Sequence, residues 1–176
     1  MYVRGGAGPA GRLRFFQRSE QKFLLAFLDG YAGYIHADAY PATGRDYDEL
    51  FRKDDAIEVI CWVHARRKFD ESISSRPKGA TEIMASIARL YQVETACREK
   101  EGPERFRIRR EKSKHILDSI FDRVEQLRSA TVPEEPLRKV IDCTLNQRDT
   151  LIRYLDGGRL KPENPVQLYL TLLLYN

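Results

Sequence analysis

A chain of 176 residues, 42% hydrophobic and 32% charged, is long enough for one ordinary domain or a small domain with an appendage, and apolar enough to build a core. No stretch approaches the ~20 apolar residues of a membrane span, and the N-terminus lacks the apolar run of a signal peptide, which leaves the cytoplasm as the default. A net charge of +4 permits an anionic partner without demanding one, because 30 basic residues against 26 acidic ones mostly describe solvated faces.

The first third alternates strand-like and helix-like runs. Residues 1–4 and 13–17 are short β-prone runs on either side of a loop rich in turn formers, Gly5 to Gly11, which predicts a hairpin. Ser19 caps a helix whose apolar residues Phe23, Leu24, Phe27 and Leu28 recur at helical spacing. Residues 34–37 read as a short buried strand ending at Asp38, residues 46–53 as a short helix, and residues 57–63 as another β-prone run. The order β-β-α-β-α-β predicts a mixed sheet with helical crossovers, in the α/β or α+β class.

After His64 the pattern is helical only. Ile83, Ile87, Leu90 and Tyr91 make one apolar stripe; Ile116, Leu117, Ile120, Phe121, Val124 and Leu127 make a second. Leu137, Val140, Ile141, Leu145, Ile152 and Leu155 make a third, predicted as one helix. Gly102-Pro103 separates the first two helices, Pro133 and Pro136 open the third, and Gly157-Gly158 close it in the position of a left-handed cap.

Two segments carry candidate chemistry. In Cys61-Trp-Val-His-Ala-Arg-Arg-Lys-Phe69 a strand end passes into a helix bearing Arg66, Arg67 and Lys68. The bland account makes Cys61 and Trp62 core, His64 a satisfied polar group and the basic triplet solvated. Zinc is improbable, since Cys61 and His64 have no second ligand pair at suitable spacing, and the three scattered cysteines read as reduced thiols. In Gly33-Tyr-Ile-His-Ala-Asp-Ala-Tyr40, Asp38 just past a buried strand is the kind of carboxylate that metal-dependent phosphoryl transfer needs. Acidic residues after strands are also common helix caps and turn formers.

Together, and in this order, the two segments resemble the catalytic-domain signature of insertion-sequence sixty-six transposases. Met1-Tyr-Val-Arg4 is similar to the family's second core strand, and Leu155 to Asn164 to the stretch leading to its last catalytic residue. The resemblance implies a ribonuclease-H-like sheet holding two aspartates and a glutamate. These bind two divalent ions, usually Mg²⁺, that drive in-line attack on a phosphodiester of DNA. Asp38 matches the second aspartate and is the implied metal ligand and catalytic residue; the rival Asp29 ends the Phe23–Leu28 helix instead of following a strand. His64 would stand near the site, contacting DNA or a neighbouring carboxylate. Arg66, Arg67 and Lys68 become candidate phosphate contacts. The implied partners are transposon-end and target DNA, with no membrane.

By this resemblance residues 1–76 form a partial ribonuclease-H-like core, 77–156 a mainly helical insertion and 157–176 a degenerate tail. The departures from the family matter equally. The first aspartate belongs on a strand before Met1, and the family's Asp-Asn-Asn-x-x-Glu-Arg is met by Glu163-Asn-Pro-Val-Gln167 and an apolar run. The expectation is a truncated catalytic domain with one carboxylate of the three, which does not hold Mg²⁺ stably and does not transpose. The missing strand would leave two inner strand edges unpaired and favour self-association. The alternative is a non-catalytic helical DNA-binding or interaction remnant. A third reading, an intact small metal-dependent nuclease, conflicts with the missing carboxylates.

Overall fold

In the computed structural model, which describes residues 2–3, 32–37, 56–74 and 77–162, the chain is a mixed α+β protein: a small sheet precedes a long run of helices. It divides into two compact units, residues 1–61 with 164–176, and residues 62–163.

The first unit holds β1 (Tyr2–Val3), β2 (Gly33–Ala37) and β3 (Ala56–Ile60), in the order β1-β2-β3. β1 runs antiparallel to β2, with Tyr2 opposite His36 and Val3 opposite Ile35. β2 runs parallel to β3, from Gly33 opposite Ala56 to Ala37 opposite Ile60. The β-branched residues Ile35, Val59 and Ile60 are buried, as the pleat of a covered strand favours. The sheet is therefore mixed, as the alternation of runs predicts. One expectation is corrected here: β1 bonds directly to β2, so the two edges expected to lie open meet each other at Tyr2–His36 and Val3–Ile35. The strand expected at 13–17 and the helices expected after Ser19 and at 46–53 lie outside the described residues.

The second unit is helical. It runs through α1 (Trp62–Glu71), α2 (Pro77–Ala96), α3 (Gly102–Ile108), a π-helical segment (Arg109–Ser113) and α4 (Lys114–Ala130). It ends with α5 (Pro136–Asn146), α6 (Arg148–Ile152) and a 3-10 turn (Arg153–Asp156). α1 packs on α2 and α5, α2 on α4, and α4 on α5. The core comes from the stripes seen in the sequence: Ile83, Ile87 and Leu90 of α2 meet this need together with all six apolar residues of α4. Proline at the first turn of α3 and of α5 costs no hydrogen bond there, which is why both helices begin at these residues.

Three boundaries differ from expectation. The strand expected through residue 63 stops at Ile60, and Trp62 opens a helix. The helix expected over the third stripe breaks at Gln147 (φ −101°, ψ 13°), so Leu151, Tyr154 and Leu155 reach the core from a second short helix and a 3-10 turn. Gly157 is extended (φ −159°), not left-handed. The glycine requirement lies at Gly158 and is steric: a Cβ there would overlap the backbone carbonyl of Gly102. Gly158→Ala should therefore cost about 1–3 kcal/mol, read from chemical denaturation, because backbone must move to admit one methyl. An unchanged midpoint would mean that this loop does not abut Gly102.

Candidate nucleic-acid interface

The motif of residues 61–69 begins with an anchor. The Trp62 backbone N–H, a first-turn donor with no partner inside its own helix, donates to the Pro162 carbonyl at 2.7 Å. Its indole Nε1 donates to the Leu151 carbonyl at 3.0 Å, and the ring lies 6.1 Å from that of Phe121 at 59°. Trp62, Ala65, Phe69 and Ser72 recur at helical spacing, and all four are buried. Apolar members of the motif thus fasten α1 into the helical unit by one side and leave another side facing outward.

Arg66 and Arg67 occupy that outward face. Arg67 reaches Glu71 at 3.8 Å with both side chains largely exposed, a pair worth little in water. Lys68 is half-buried on a different side of the helix, and its Nζ donates to Cys143 Sγ at 3.4 Å. His64 is 7% exposed, which leaves little of its ring for a macromolecular ligand to touch. So the basic triplet, contiguous in sequence, is divided in space: two cations toward solvent and one toward α5. Asp38, whose neighbour Ala37 ends β2, lies outside the described residues.

Among the described residues, no group of three or more His, Cys, Asp or Glu side chains is placed to hold a metal ion. Cys61, Cys97 and Cys143 are free thiols.

The most elaborate polar arrangement went unseen in the sequence. Arg109 is wholly buried, and its Nε and Nη2 donate to the two carboxylate oxygens of Glu94 at 2.7 Å each. Its Nη1 donates to the Gly157 carbonyl at 2.7 Å, and the guanidinium stands 5.6 Å from the Tyr154 ring centre. Burial pushes the Tyr154 phenol far above its ordinary value, so this ring stays neutral. Arg105 donates to the carbonyls of Cys97, Arg98, Lys100 and Gly158, closing the turn after α2 against the segment after the 3-10 turn. Nothing in the run of charged residues 104–114 separates these two arginines from their solvated neighbours; the signal is absent from local sequence.

Comparisons with known proteins bear on this site. The profile described as Transposase IS66 family matches residues 4–166. The Uncharacterized protein y4qI of Sinorhizobium fredii is 28% identical over 170 residues, covering 92% of this chain and 31% of that protein. The Uncharacterized protein y4jD of the same organism is 26% identical over 171 residues, covering 93% of this chain and 32% of that protein. The chain thus spans about a third of the length of the curated relatives it matches. No solved structure matches it.

Proposed function

The chain belongs to the IS66 family of transposases, and from that membership we propose that it contributes DNA contacts within a DDE-type catalytic domain while being unable to cut DNA by itself. One observation carries the first half: inside the matched region, the buried members of the 61–69 motif hold α1 rigidly and turn Arg66 and Arg67 to solvent. Cations so placed suit phosphate oxygens, which are contacted without regard to sequence. No helix among the described residues is long and apolar enough to cross a membrane.

The second half rests on charge. Two divalent ions need closely set carboxylates to balance them. The resemblance assigns this chain Asp38, next to the end of β2, and puts Gln167 where the family has its glutamate. A neutral amide does not replace that carboxylate as a ligand for Mg²⁺.

Labelled duplex DNA titrated with the purified chain in Mg²⁺ or Mn²⁺ tests both halves. The expected result is binding that weakens steeply between ~50 and ~200 mM salt, with no nicked or joined product. Absence of binding at low salt overturns the DNA reading. Cleavage that disappears in Asp38→Asn overturns the inactivity.

A further inference from the structure

The helical unit carries a groove that the motif only begins. Arg66 stands over the face of α2 formed by Ala88, Tyr91 and Thr95. Tyr91 and Thr95 also line the next hollow, with Arg98 and Lys161, and Arg98 lines a third together with Arg159. The shared residues make the three hollows one track. Its cations come from α1, from the turn after α2 and from the segment after the 3-10 turn.

Two features fit this track to a polyanion. Glu94, the carboxylate in its middle hollow, is already neutralised by the two-pronged bond from Arg109. Arg105 is likewise occupied by backbone carbonyls. Lys100, in the third hollow, is paired with Glu104 at 3.2 Å. That leaves Arg66, Arg98, Arg159 and Lys161, all exposed and none in an ion pair among the described residues. The remaining carboxylates of the track, Glu99 and Glu101, lie in the third hollow, near Gly102.

The second feature is preorganisation. Residues 157–162 have no regular structure, yet three of their carbonyls are tied down: Gly157 by Arg109, Gly158 by Arg105 and Pro162 by the Trp62 N–H. The backbone that carries Arg159 and Lys161 is thus fixed before any ligand arrives, which reduces the entropy lost on binding. From Ala88 to Thr95 the α2 face runs ~10 Å at ~1.5 Å per residue.

We propose that this groove seats the sugar–phosphate backbone of a DNA strand, with Arg66, Arg98, Lys161 and Arg159 as successive phosphate contacts. The assignment rests on the DNA-contact reading above and extends it to residues outside the 61–69 motif. It is tested by salt titrations of a short labelled duplex with the whole chain and its variants. Arg98→Ala, Arg159→Ala and Lys161→Ala should each flatten the log–log salt slope by about 1, and the triple variant by about 3. The double variant Arg110→Ala/Lys112→Ala removes two exposed cations that do not line the groove and should leave the slope within about 0.5 of the parent. Thermal melts of all variants should match the parent, because the replaced side chains are exposed. A parent that binds salt-sensitively while the triple variant binds equally well overturns the groove and spares the DNA reading. Equal losses from the groove triple and the control double also overturn it, since charge would then act diffusely. A parent that does not bind DNA overturns both.

Discussion

Replacing Arg109 with alanine should cost the helical unit about 3–5 kcal/mol, the loss typical when one partner of a buried ion pair is removed. Its side chain is 0% exposed, and its partner Glu94 only 16%. Without the guanidinium, the Glu94 carboxylate loses two charge-assisted bonds of 2.7 Å and the Gly157 carbonyl loses its donor. Arg109→Lys should rescue little, because a point charge cannot make the fork that spans Glu94 on one side and a carbonyl on the other. A double Arg109→Met/Glu94→Met variant should recover part of the loss, since apolar side chains of similar volume leave no buried charge behind. Urea denaturation followed by helical circular dichroism measures all three. A loss under about 1 kcal/mol for Arg109→Ala would mean water reaches the pair, and that it is not the lock described here. Against a typical domain stability of ~5–15 kcal/mol, the expected loss is a large share of the whole.

Trp62→Ala should cost a similar ~3–5 kcal/mol, here through packing. The ring is wholly buried, packs against Phe121 and donates to the Leu151 carbonyl. Trp62→Phe keeps most of the ring contact and loses the hydrogen bond, so it should cost markedly less; the difference between the two variants separates volume from polarity. Because α1 carries Arg66, Trp62→Phe should leave the salt slope of DNA binding close to the parent, while Trp62→Ala should reduce both stability and affinity. Trp62 is the sole tryptophan of the chain, so its intrinsic fluorescence reports this anchor directly. Emission typical of an exposed indole in the folded parent would contradict the burial on which the prediction stands.

Elements whose information is local and periodic are legible from the residues alone. The apolar stripe from Ile116 to Leu127 reads as a buried helix face because residues three and four apart share one side of a helix, and α4 buries all of it. The short run at residues 34–37 lies within strand β2, and the spacing of the two motifs carried the transposase resemblance that the family match shows. Features that depend on partners far along the chain emerge only in the fold. Residues 57–63 look uniformly β-prone, yet the chain turns helical at Trp62, whose N–H and indole bond to Pro162 and Leu151. The third stripe is continuous in sequence, yet the helix breaks at Gln147 so that Leu151 and Tyr154 can reach the core. Gly158 suits a helix cap on paper, but its real constraint is the backbone of Gly102. The fate of the arginines was least legible. Arg66, Arg98, Arg105 and Arg109 are chemically identical, and only the meeting of α2, α3 and the segment after the 3-10 turn buries Arg109 against Glu94, spends Arg105 on carbonyls and leaves Arg66 and Arg98 to solvent. Hydrophobic periodicity is written residue by residue along a helix, whereas a charge acquires its role from whatever carboxylate, carbonyl or water the fold brings to it.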